Sequence, residues 1–261
     1  MRIRIISALL AIPLFLFVVV KKGMILDISV FLLAIIGLNE FFNAFQNIDI
    51  IPSKSVGVLS IIFMFIITLK PITLEWMMVW FFMSMLFILV NNLFKKKFDM
   101  LALSVTAMGI YYIVFFMYHI VFISHHSKYS DLIWMIFIVA WATDTFAYFT
   151  GYFFGSRKLC PSISPKKTVE GAVGGVLGSI GISALFGYFV MPKILFHCVI
   201  IGCVGSIIGQ FGDLTASIFK RYTGIKDYGK IMPGHGGILD RFDSILFTAP
   251  AVYYYIVFFI K

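Results

Sequence analysis

Nine apolar runs, separated by short polar segments, set the terms on which this chain can fold. They are Ile5–Val20, Met24–Phe45, Ser55–Leu69, Trp76–Phe94, Leu101–Ile123, Leu132–Phe154, Ala172–Val190, Ile194–Phe211 and Ile238–Ile260. A hydrocarbon core about 30 Å thick takes a helix of about 20 residues, and the third run is the shortest of the nine. None of the runs alternates apolar and polar residues as a barrel strand does. Because backbone groups cannot stay unpaired in hydrocarbon, the expected fold is all-α, a polytopic integral membrane helical bundle of about nine transmembrane helices. Composition agrees: 61% of the 261 residues are hydrophobic and 13% charged, and the mean hydropathy of +1.01 lies outside the range of soluble domains.

Charge then orients the bundle. A net charge of +9 would suggest nucleic acid for a soluble protein, but here the cations sit in short loops beside apolar runs. That pattern is a topology signal with anionic headgroups as counter-charge, so membrane lipids and no nucleic acid are expected as partners. An N-terminus in the cytoplasm puts fifteen of the 21 Lys and Arg on that side, predicting an N-in, C-out chain in the cytoplasmic membrane. The loops Ser156–Gly171 and Lys220–Gly237 then both face the cytoplasm. The first run, flanked by Arg2, Arg4, Lys21 and Lys22 without a small-residue cleavage site, reads as a retained span. Cys160, Cys198 and Cys203 have no ligand-like spacing and read as packing residues.

The two halves differ in character. Up to about Ser130 the runs are rich in Phe, Ile, Leu and Met; beyond it, glycines recur at helical spacings, as in Gly171, Gly174, Gly175 and Gly178, then Gly202, Gly205, Gly209 and Gly212. Small residues so spaced let helices approach closely. The expected organisation is therefore an N-terminal transmembrane scaffold over residues 1–130 and a C-terminal transmembrane catalytic region over residues 131–261.

The chemistry concentrates in that second part, where carboxylates enter apolar runs and ask for a partner, solvent or a metal. Asp213, Ser217, Lys220 and Arg221 share one broad helical face, a set suited to a metal–nucleotide site or, equally, to an interfacial helix end whose cations snorkel to headgroups. Asp240 and Asp243, with Arg241 between them, are hard oxygen ligands at a spacing that can share Mg²⁺; acidic residues also suit a helix N-terminus. Gly234, Gly236 and Gly237, around His235, form a turn whose amides can approach phosphate, with His235 as a phosphate donor or proton shuttle. Asp144, in the middle of an apolar run, is a functional candidate unless a hydroxyl or Arg241 pairs with it. Ser164, Lys166 and Lys167 could hold a triphosphate and Glu170 could cap or ligate, or the loop is ordinary positive-inside charge. Glu40 carries less weight, since Asn39, Asn43 and Gln46 offer it neutral partners. His119, His125, His126 and His197 are scattered and receive no role.

Together these motifs resemble a known family. Ser217-Ile-Phe-Lys-Arg, Lys226-Asp227 and Pro233-Gly-His-Gly-Gly-Ile-Leu-Asp-Arg-Phe-Asp243 look like the signature of the phosphatidate cytidylyltransferases. Asp144-Thr-x-Ala-Tyr, with Gly151 and Gly155, and Ser164-Pro-Lys-Lys-Thr, with Glu170-Gly171, resemble the family's upstream motifs. The match runs from about Asp144 to Ser244. The resemblance implies an enzyme that joins CTP and phosphatidic acid into CDP-diacylglycerol and pyrophosphate with Mg²⁺, a second cation and a homodimer being compatible with it. The site expected for such an enzyme has Asp144, Ser217, Lys220, Arg221, His235 and Asp240 in catalysis. Ser164, Lys166, Lys167, Lys226, Gly234, Gly236, Gly237 and Arg241 bind the nucleotide, and Asp213, Asp240 and Asp243 hold the metal. The competing readings are another CTP-dependent membrane lipid transferase, such as a polyprenol kinase, and an ion-coupled transporter. Polar residues gathered at one face argue against the transporter.

Overall fold

The computed structural model describes residues 2–94, 98–231, 234 and 236–260. Among them nine helices follow in chain order: α1 Arg2–Lys21, α2 Gly23–Gln46, α3 Lys54–Thr68, α4 Leu74–Leu93, α5 Met100–Ser124, α6 Ile133–Phe154, α7 Val169–Val190, α8 Leu195–Tyr222 and α9 Leu239–Phe259. Each coincides with an apolar run of the sequence, and among the described residues seven are long and apolar enough to cross a membrane. The third run forms a helix of 15 residues, too short to be one of the seven. The chain is thus a helical, polytopic integral membrane protein. Among the described residues the only strands form a short antiparallel hairpin, β1 Lys158–Cys160 and β2 Ser164–Thr168. The cysteines are free, Cys198 fully buried.

The chain divides into two compact units, one of Met1–His126 with Tyr222–Arg241, the other of Ser127–Arg221 with Phe242–Lys261. The core of the first is aromatic and aliphatic, built around fully buried Phe41, Phe42, Trp80, Ile113 and Tyr118. The indole of Trp80 donates to the Ser60 carbonyl at 2.9 Å, and α5 widens to a π-helical stretch over Ile110–Phe115. This wider turn sets Tyr111 and Phe115 around Trp80, ring centres 5.9 and 5.7 Å away. Close helix approach is not confined to the second half of the chain. A Cβ on Gly57 would fall 2.5 Å from Leu38 Cδ2 and one on Gly109 2.4 Å from Phe42 Cε1, so α3 and α5 close on α2 where side chains are missing.

In the second unit, glycines of two helices do the same. Along α7, a Cβ on Gly171 would lie 2.8 Å from the Ala147 carbonyl and one on Gly175 2.9 Å from that of Thr143, drawing α7 onto α6. Along α8, a Cβ on Gly212 would meet the Asp243 carbonyl at 2.7 Å, and one on Gly209 Thr248 Oγ1 at 2.7 Å. The neighbours of these glycines are Asp213 and Asp243 themselves, so backbone contact between α8 and α9 sets where the two carboxylates stand.

Candidate active site

The second unit contains a cavity of about 470 Å³ bounded by α6, the hairpin, α7 and α8. Asp144 and Thr143 reach it from α6, Lys166, Lys167 and Thr168 from the second strand of the hairpin, and Gln210 and Asp213 from α8. The hairpin is held so that its lysines reach the cavity. Thr168 caps α7 by accepting the Gly171 N–H at 3.1 Å, and Glu170 accepts the Ser156 and Arg157 N–H groups at 3.0 and 3.2 Å. Arg221, at the end of α8, donates from Nε to the Ile163 carbonyl at the hairpin turn, 3.2 Å away. Glu170 is therefore a cap of the α6–hairpin connection, the first of the two roles its position allowed.

Within the cavity, Lys167 Nζ donates to Asp213 Oδ2, joining the hairpin to α8. Asp144 is exposed, although it occupies the middle of α6. Its neighbour Thr143 directs its hydroxyl to Ser206 at 2.7 Å. Asp243 lies within electrostatic range of Asp213, Asp144 and Lys220. One unit therefore gathers three carboxylates and the cations of Lys167 and Lys220. Ser217 is half-buried one turn beyond Asp213, whereas Ser164, in the first position of β2, does not line the cavity.

The remaining candidates belong to the other unit, on the segment that leads into α9 and in the first turn of that helix. Gly234 and Gly236 have φ of 78° and 91°, in the left-handed region where a side chain would be strained. Asp240 is buried, and its Oδ2 accepts the N–H groups of Tyr228 at 2.8 Å and Gly237 at 2.9 Å. Lys226 and Arg241 are exposed. His235 lies outside the described residues. Glu40 corrects the sequence reading. Its oxygens accept the N–H groups of Ile238 at 3.0 Å and Leu239 at 2.9 Å. Asn39 instead donates to the Ile35 carbonyl and Asn43 accepts from Lys54.

A carboxylate–lysine cavity in a membrane helix bundle suits chemistry on a polyanion, and comparison with known proteins decides which. A family model described as the cytidylyltransferase family matches residues 2–259. The chain belongs to this family. It is similar to the phosphatidate cytidylyltransferases of Staphylococcus epidermidis and Staphylococcus saprophyticus, 38% and 39% identical over 258 residues, and to that of Staphylococcus aureus, 36% identical. Each of these comparisons covers 96% of this chain and 96% of the relative.

As a cytidylyltransferase, the chain is a nucleotidyltransferase enzyme, and its cavity sets two lysines beside carboxylates. Magnesium takes only one or two carboxylates, with water and substrate oxygens completing its shell. Among the described residues no three acidic, histidine or cysteine groups converge closely enough to form an all-protein cage. Asp213 and Asp243, brought near each other by the α8–α9 contact, fit the sparser requirement. Sequence reasoning missed Gln210 and Tyr152 at the cavity and gave Tyr148, quoted only as part of a motif, no role there. The two tyrosines are stacked at 6.4 Å, and their four-residue spacing on α6, the helix that carries Asp144, was the available signal.

Proposed function

We propose that this enzyme transfers the cytidylyl group of CTP to phosphatidate, giving CDP-diacylglycerol and pyrophosphate. A phosphatidate oxygen forms the new bond to the α-phosphorus as the bond from that phosphorus to the bridging oxygen of pyrophosphate breaks. The phosphate oxygen is already a nucleophile, so no strong base is needed; the obstacle is the approach of two anions. Lys166 and Lys167 screen that repulsion from the hairpin, and Lys220 does so from α8. Asp213 and Asp243 would hold Mg²⁺, which would supply further charge neutralisation. For Asp240, whose Oδ2 serves two backbone N–H groups, a metal role would fall to Oδ1. CTP arrives from the cytoplasm and the lipid from the bilayer of the cytoplasmic membrane.

The observation that carries this reading is the cavity that collects Asp144, Lys166, Lys167 and Asp213 in a chain aligned nearly end to end with phosphatidate cytidylyltransferases. Purified protein in lipid–detergent micelles, given Mg²⁺ and CTP labelled at either the α- or the γ-phosphate, tests it. Appearance of α-label in CDP-diacylglycerol with phosphatidate as acceptor is expected, along with its loss on chelation. Transfer of γ-label to a lipid alcohol would replace this reading with a kinase.

A further inference from the structure

Cytidylyl transfer gives the buried carboxylate of Glu40 no task. Glu40 lies inside α2, 5% exposed, where an ionised side chain is tolerated only if its oxygens are fully used. Its partners are the N–H groups of Ile238 and Leu239, 198 and 199 positions away, at the start of α9. The first amides of a helix have no partner within it and are normally capped by the residue just before. Here the two residues ahead of Ile238 are glycines, and the cap arrives from another helix. The loop is shaped to admit it: a Cβ on Gly229 would fall 2.3 Å from Glu40 Oε1, and one on Gly237 2.5 Å from it. One turn earlier on α2, a Cβ on Gly37 would lie 3.1 Å from Leu239 Cδ2. Asp240 closes the same loop from its other end through Tyr228 and Gly237.

We propose that Glu40 is a positioning residue for catalysis, fixing through the amides of Ile238 and Leu239 the entry into α9 and the direction in which Asp240 and Arg241 leave it. The two carboxylates, Glu40 and Asp240, stand within electrostatic range of each other and are held together by four backbone N–H groups, an arrangement that specifies one loop geometry. The proposal rests on the cytidylyltransferase reading for the importance of that loop.

Glu40→Gln keeps the size of the side chain but leaves one of the two amides facing a donor. Gly229→Ala leaves Glu40 intact and crowds its Oε1. For both variants, turnover with CTP and phosphatidate should fall by about 10- to 100-fold, the scale of a misplaced reacting group, with KM for CTP within about threefold and melting within a few degrees of the parent. Backbone hydrogen exchange should accelerate in the peptide spanning 226–242 and stay unchanged in α3 and α4. Turnover within twofold of the parent despite faster loop exchange would overturn the proposal. So would exchange rising throughout α2 to α5, which would make Glu40 a general fold contact. Absence of cytidylyl transfer in the parent enzyme would strike the function reading instead, and the exchange data would still decide the anchoring.

Discussion

Lys167 and Asp213 show how a single pair can serve both fold and chemistry. The contact joins the hairpin to α8 at the cavity wall, and a charge-assisted hydrogen bond to phosphate contributes about 1.5–3 kcal/mol. Lys167→Gln is accordingly expected to raise KM for CTP about 10- to 100-fold, read by steady-state titration. A second pair gives a pH signature. His125 Nε2 bonds the buried Asp27 carboxylate at 3.0 Å, and that hydrogen bond raises the His125 pKa above its ordinary value. The folded state thus favours imidazolium; the stabilisation is full below the unfolded pKa, near 6.5, and is lost as pH rises through the higher folded value. Burial lowers the pKa of the adjacent His126 and acts with the opposite sign, so the informative quantity is a difference. The gap in melting temperature between the parent and His125→Gln should be widest below about pH 6 and shrink as pH rises. At this scale the sequence exposed Asp144, Lys166, Lys167 and Asp213, because charge in an apolar chain is conspicuous. It assigned Glu40 the wrong partners because spacing along α2 shows only neighbours on that helix. Nothing local announces an N–H group contributed from 198 positions away.

Helices were legible because hydrocarbon thickness fixes their length, and all nine runs are helical. The hairpin was not: β2 reads Ser-Pro-Lys-Lys-Thr, with neither alternation nor β-branched residues apart from Thr168, and its register is imposed by pairing with Lys158–Cys160. The π-helical stretch in α5 was equally hidden, since Ile110–Phe115 is as apolar as the turns on either side. Glycine spacing did announce close approach, and the structure supplies the partner at each site. Gly212→Val would drive a branched side chain against the Asp243 carbonyl and Phe247. It is expected to destabilise the protein by about 1–3 kcal/mol, measured as a lower melting temperature in detergent, and to reduce turnover beyond the loss of folded protein because Asp213 and Asp243 move apart.

For the molecule as a whole, charge asymmetry and hydropathy lead to a prediction about sidedness. A cysteine placed at exposed Lys226 in a cysteine-free background should react with a membrane-impermeant maleimide in inside-out vesicles and remain unlabelled in intact cells. Labelling in intact cells would reverse the proposed orientation and move CTP binding to the wrong compartment. Family membership covers residues 2–259, so first-half elements such as α2 belong to the same enzyme as the signature they support.

The seam along Gly205, Gly209 and Gly212 is built from missing atoms, and such a surface can be damaged only by adding mass. In a saturation library, tolerance along it should therefore fall with the volume of the incoming residue whatever its polarity, alanine and serine already costing stability at Gly212 and leucine failing throughout. On the outward flank of α6, lined by Phe149 and Phe153, the same library should sort residues by affinity for oil and scarcely notice their bulk.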